Sequence, residues 1–218
     1  MNYDQYASQA RSEYESFAHA LIADYLAHSS AGRLDLHAVG TFRMSGLALV
    51  ARFVDRATAL TNDYLAPLGR GGFRDAREQP YLNALRQLAI KNLNDLIVQL
   101  MGGGNRLADT LTRPAGAVGL LLQQKLAKPE LVANDKSGRK WPADKLVAVM
   151  TRDFAYQAYL DAEIERFDAE GVEMVMVAYP DSTHAQHGLA MRLDEVGLVR
   201  KSIFHPNSHA RLVPYVPT

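Results

Sequence analysis

Apolar positions recur at helical spacing through most of the chain and give way to a short β-branched run only after residue 171. No proline precedes Pro67, and the stretch from about Asp4 to His28 places Phe17, Leu21 and Tyr25 four residues apart. That spacing predicts a first helix, ended by Ser29-Ser30-Ala31-Gly32. A second helix is expected from about Phe42 to Leu65, stopping before Pro67-Leu68-Gly69-Arg70-Gly71-Gly72. The third is the clearest. Pro80 suits a first helical turn, and Leu82, Leu85, Ala89, Leu93, Leu96 and Leu100 form one stripe. Gly102-Gly103-Gly104 reads as its stop.

A fourth, small-residue helix is expected over about Ala115 to Leu126, and Asn134 to Lys140 reads as a polar loop. The fifth runs from about Pro142 to Ala169 and stops at Gly171. Its predicted apolar face is Leu146, Met150, Leu160, Ile164 and Phe167, interrupted by Asp153 and Gln157, which need partners if buried. Val172 to Ala178 reads as a strand, with Gly197 to Phe204 and Leu212 to Val216 as weaker strand candidates. The predicted class is α+β, mainly α. A helical N-terminal portion over 1–130 precedes a C-terminal module over 142–218, built from a helix and a short sheet.

Composition narrows the function classes. The 218 residues carry 24 basic and 24 acidic side chains, so no global field draws the chain to nucleic acid or anionic lipid. Charge is nevertheless segregated: eight Lys or Arg against four acids between Gly103 and Lys145, then seven acids against two Arg between Met150 and Val175. Solvated faces explain this, as would docking between copies or a basic patch on DNA phosphates. The absence of cysteine excludes disulfides and thiolate ligands. A secretory signal and a membrane span are not expected, which points to synthesis in the cytoplasm.

Candidate chemistry concentrates near the end. Four of the seven histidines form two pairs, in Asp181-Ser182-Thr183-His184-Ala185-Gln186-His187-Gly188 and His205-Pro206-Asn207-Ser208-His209. Neutral imidazole is a good zinc ligand, and a structural site wants four ligands in a tetrahedron, less commonly all of them histidine. His184, His187, His205 and His209 are therefore the candidate metal ligands, with zinc the candidate ion. Loop histidines hydrogen-bonded locally are the alternative. Asp181 is a further ligand, a carboxylate orienting a histidine, or the first residue of a turn. His19, His28 and His37 are expected at the surface. Gly102 to Arg106 lacks the Gly-Lys-Ser/Thr ending of a phosphate loop.

The same residues resemble the C-terminal module of the Mu F-like minor head proteins of tailed phages. In that family an arginine-bearing helix leads through an Ala-Gly-Val turn into a strand, then a D-x-x-C-x-x-C segment, then a closing H-P-N-C-R-C. Here Thr151 to Tyr156, Ala169 to Glu173, Met174 to Ala178, Asp181 to His187 and His205 to Pro214 follow that order over about 65 residues. His184 and His187 stand at the first cysteine pair. Ser208 and Ala210 stand at the second, and His209 falls between them.

The resemblance implies a non-enzymatic virion protein, made in the host cytoplasm and incorporated in several copies near the portal. Its expected partners are the portal and the major capsid protein, with packaged DNA as a further contact and no membrane. Head morphogenesis or handling of packaged DNA would be its role. Rival readings are a metal-free connector between head and tail, and a metal-dependent hydrolase. The hydrolase would use His184, His187 and His205 as ligands and Asp181 or Glu195 as general base.

Overall fold

The computed structural model describes residues 2–29, 36–69, 78–111, 131–134, 137–205 and 207–216, without side chains at 29, 78 and 102–111. Five α-helices and two small antiparallel sheets make up these residues, so the chain is α+β and mainly α. The helices are α1 (Tyr3–Ser29), α2 (Leu36–Leu65), α3 (Glu78–Leu111), α4 (Ala143–Ala169) and α5 (Val196–Ile203). The strands are β1 (Val132–Asn134), β2 (Lys140–Pro142), β3 (Met174–Ala178), β4 (Ala190–Arg192) and β5 (Arg211–Pro214). The helix expected at 115–126 and most of the basic stretch lie outside the described residues.

Two compact units form, and neither is a continuous segment. One contains residues 1–8, 61–74 and 149–218, the other 9–60 and 75–148. Helices α1, α2 and α4 each contribute residues to both units.

In the unit of residues 9–60 and 75–148, the predicted stripes face inward. Phe17, Leu21 and Tyr25 of α1 are buried, as are all six members of the α3 stripe. Phe53 of α2 stacks on Phe17 at 5.3 Å between centroids and meets the edge of Tyr14 at 5.6 Å. Buried Asn92 donates to the Tyr14 hydroxyl, and desolvation pushes the pKa of that phenol well up. Gly46 faces Leu93, whose Cδ1 would lie 2.3 Å from a Cβ added there.

Helix α3 does not stop at Gly102-Gly103-Gly104 but continues to Leu111. Glycine costs about 1 kcal/mol relative to alanine in a helix interior, yet its backbone adopts the helical conformation, and six turns of ladder precede it. Asn134 and Lys140, the ends of the expected polar loop, pair as strand residues of a β1–β2 hairpin, with Ala133 opposite Trp141 and Gly138 at φ 78°. His28 is less exposed than expected. Its side chain is 20% exposed, its Nδ1 lies 2.9 Å from Asp24 O, and its ring packs 5.7 Å from Phe42.

In the other unit β3 is the central strand of a sheet ordered β4-β3-β5. Its register sets Val175 opposite Met191 and Val177 opposite Leu212. Those four side chains are buried with Tyr156, Leu160, Phe167, Val196, Ile203, Phe204 and Ala210 as one core. The α4 face is shifted from prediction. Leu160 and Phe167 are buried, but Leu146 and Met150 are half-exposed, and Val147, Thr151 and Ala155 are buried instead.

Helix α4 ends as predicted at Gly171 (φ 72°), with Val172 N–H donating to Phe167 O at 2.9 Å. The strand expected at Gly197–Phe204 is helix α5. Val196, Val199, Arg200 and Ile203 sit at i, i+3, i+4 and i+7, so a helix turns all four inward while leaving Gly197 and Leu198 in solvent.

Arg200 and Phe204 supply the partners that Gln157 required, and Gln157 is in turn the partner of Asp153. Arg200 Nη1 donates to Asp161 Oδ1, its Nε to Gln157 Oε1 and its Nη2 to Gln157 O, while Gln157 Nε2 donates to Phe204 O at 2.7 Å. Asp153 hydrogen-bonds Gln157 and faces Arg200, but burial dominates and raises its pKa. The polar stripe across α4 is therefore the seat of α5.

Candidate functional site

The two histidine turns follow from the sheet. After β3, Tyr179 and Pro180 leave the central strand, and residues 181–189 loop back into β4 through Gly188 at φ 83°. Gly188 N–H donates to Val177 O at 2.9 Å, and Val177 N–H to Leu189 O at 2.9 Å, which fixes the loop's width. Residues 204–210 then lead from α5 into β5 on the opposite edge of β3. Strand order thus brings separated turns to the same end of one strand.

A cavity of about 280 Å³ lies there, lined by Tyr179, Asp181, His184, Gln186, His205 and His209 among others. His184, His205 and His209 are all exposed. His187 is half-buried and does not line the cavity; its Nδ1 accepts the Tyr179 backbone N–H at 3.1 Å. His184 Nδ1 accepts the Gln186 N–H at 3.2 Å.

These two bonds decide how the first pair can act. A neutral imidazole has one lone-pair nitrogen, and here both rings use it on a backbone N–H, leaving the proton on Nε2. A zinc ligand needs that lone pair for the metal. His184 and His187 are therefore engaged within their own turn, while His184, His205 and His209 line the cavity. Among the described residues, no three His, Asp or Glu side chains group so as to hold a metal ion. In this arrangement the first pair offers a metal no lone pair on Nδ1.

Asp181 has the third of its expected roles. Its Oδ1 accepts the Thr183 hydroxyl at 2.7 Å and the Thr183 N–H at 2.9 Å, and these bonds hold its pKa below the usual carboxylate value. Glu195, the other candidate base, accepts the Arg192 N–H at 3.0 Å and does not line the cavity.

What joins the turns is Tyr179. Its ring stacks on His184 at 3.7 Å and 15°, and its hydroxyl donates to Gln186 Oε1 at 3.0 Å. Ser208 Oγ approaches the same hydroxyl at 3.5 Å. The closing turn is fixed from beneath: Ser208 Oγ accepts the Ala210 N–H at 3.1 Å, and Tyr156 donates to Ala210 O at 2.7 Å. Burial pushes the pKa of Tyr156 up to about 12, so it remains a donor at any physiological pH. Sequence reasoning missed both tyrosines, because a Tyr after a strand and one in an apolar helix stripe read as packing. The one available signal was their place beside the two histidine segments.

No family model, curated protein or solved structure matches the chain. Among the described residues, no helix is long and apolar enough to cross a membrane.

Proposed function

We propose that the chain is a minor head protein of a tailed phage, a virion component acting near the portal in head morphogenesis or in handling packaged DNA. Portal, major capsid protein and further copies of itself are its partners in this reading. The observation that carries it is the closing geometry of the C-terminal module. Helix α4, the Gly171 turn, β3, a histidine turn and a His-Pro-Asn turn occur in the family's order, and both turns line one cavity.

A metal-free connecting role between head and tail is the second reading, favoured by the engagement of both His184 and His187 lone pairs. A non-catalytic role is supported by the place of Glu195, which does not line the cavity with the histidines. Zinc forms no part of the proposal.

Particles purified from an infected culture provide the test. The chain is expected in stoichiometric copies with portal and capsid protein. Recovery solely as free protein from the lysate, with none in particles, rejects the virion reading.

A further inference from the structure

We infer that the tyrosine-lined cavity of the unit built from residues 1–8, 61–74 and 149–218 binds a planar aromatic group bearing a carboxylate, with Arg211 as the anion's partner. This cavity is distinct from the one the histidines line, and the inference does not depend on the virion reading. The cavity measures about 360 Å³ and is lined by Tyr3, Tyr64, Tyr156, Tyr159 and Arg211, with Pro67 and Leu68 among the rest. That volume falls within the range of small-ligand sites, about 300–1,000 Å³. Four aromatic rings around so small a space give it flat, polarisable walls.

Two of the rings are anchored. Tyr64 donates to Ala155 O at 2.8 Å and Tyr156 to Ala210 O at 2.7 Å, and both are only 2% exposed. The wall they form is therefore set before any ligand arrives, which lowers the ordering cost of binding. The other two rings are half-buried, and their hydroxyls have no hydrogen-bond partner among the described residues. Tyr3 packs 5.6 Å from Tyr156 with the Arg152 guanidinium 5.9 Å from its centroid. Burial raises the pKa of Tyr159 against the opposing charge of Arg211 and keeps its hydroxyl a donor.

Arg211 supplies the charge selection. It is exposed on β5 and makes no ion pair among the described residues, whereas nearby Glu163 is taken by Arg166 at 2.7 Å. A guanidinium with its fork free beside phenol donors is suited to a carboxylate, which it can engage by two parallel N–H bonds. A ring held against the tyrosines would direct that carboxylate to the mouth.

The full-length protein titrated with phenylacetate, followed by NMR of the tyrosine ring resonances, tests this. Saturable shifts at Tyr3, Tyr156 and Tyr159 are expected with an affinity of about millimolar for so small a ligand. Phenylacetamide, which lacks the charge, and cyclohexylacetate, which lacks the aromatic ring, should each bind about tenfold more weakly. Arg211→Gln should weaken phenylacetate about tenfold and leave phenylacetamide unchanged. Tyr159→Phe, which keeps the ring, should weaken phenylacetate by a smaller factor.

A short peptide ending in phenylalanine distinguishes the source. Tighter binding than phenylacetate, with the same Arg211 dependence, identifies a chain terminus; weaker binding identifies a free aromatic acid. The inference is overturned if phenylacetate gives no saturable shift, or if its binding is indifferent to Arg211→Gln.

Discussion

Replacing Arg200 with methionine removes a guanidinium that makes three hydrogen bonds to α4 while preserving most of its apolar stem. The Asp161 side chain beneath it is 10% exposed and the Arg200 side chain 25% exposed. Removing one partner of a fully buried ion pair costs about 3–5 kcal/mol. Solvent reaches this arginine, and Asp161 keeps a further interaction, so about 2–3 kcal/mol is the expected loss. For a chain of this length that corresponds to a fall of roughly 5–10 °C in Tm.

Thermal unfolding by circular dichroism gives the total, and amide hydrogen exchange over residues 196–204 locates the loss in α5. Combining Asp161→Leu with Arg200→Met should recover much of the stability, since an apolar pair carries no stranded charge. A single variant within about 0.5 kcal/mol of the parent, or a double variant worse than the single, would refute the seating of α5 on this network.

Asp153→Asn tests the opposite case in the same stripe. The folded pKa of Asp153 is raised, so the folded chain binds more protons than the unfolded chain between the ordinary carboxylate value and the raised one. Its favourable contribution is full below the ordinary value and is lost as pH rises through the raised one. The asparagine variant should accordingly melt higher near neutral pH, with the gain vanishing below the ordinary carboxylate range; a variant less stable at pH 7 contradicts this. Gly46→Ala should destabilise by about 1–2 kcal/mol, because the new methyl meets buried Leu93, despite the better helix propensity of alanine. Gly40→Ala, with nothing within 4 Å, should instead stabilise α2 by up to about 1 kcal/mol, both read by urea denaturation. Tyr179→Ala should raise amide exchange over residues 181–188 and 205–209 with little change in Tm, and chelator should leave the parent's Tm unchanged.

Legibility from sequence followed burial. The stripes of α1 and α3, the β3 run and the Gly171 stop were readable because side chains at those places face one core with one period. Helix α5 was not, because Val196, Val199 and Ile203 have strand-like composition and only their spacing marks a helix. The β1–β2 hairpin was hidden in polar residues; three-residue strands carry too few positions for an alternation to register. At the candidate site, the approach of the two histidine turns was implied by the family resemblance, with spacing alone leaving it open. The occupation of His184 and His187 could not be read, since it depends on where the Gln186 and Tyr179 N–H groups point after folding.

The energetics of the module follow from that occupation. A structural zinc contributes on the order of 10–16 kcal/mol and commonly decides whether a small domain folds. Within the first turn stand a ring stack and backbone bonds to imidazole, and Ser208 Oγ at 3.5 Å from the Tyr179 hydroxyl reaches across to the second, each worth about 1 kcal/mol net. They cannot hold the module together by themselves. The holding force is the apolar core beneath, where Val175, Val177, Phe204 and Leu212 are almost completely buried, each contributing about 1.5–3 kcal/mol. A weak cap on a strong core opens locally without unfolding the rest. Loss of Tyr179 should therefore free the two turns while the sheet persists, whereas in a metal-closed module the same turns and the sheet would melt together. Cooperative loss of β3 and β5 protection in Tyr179→Ala would show that the turns bear the stability assigned here to the core.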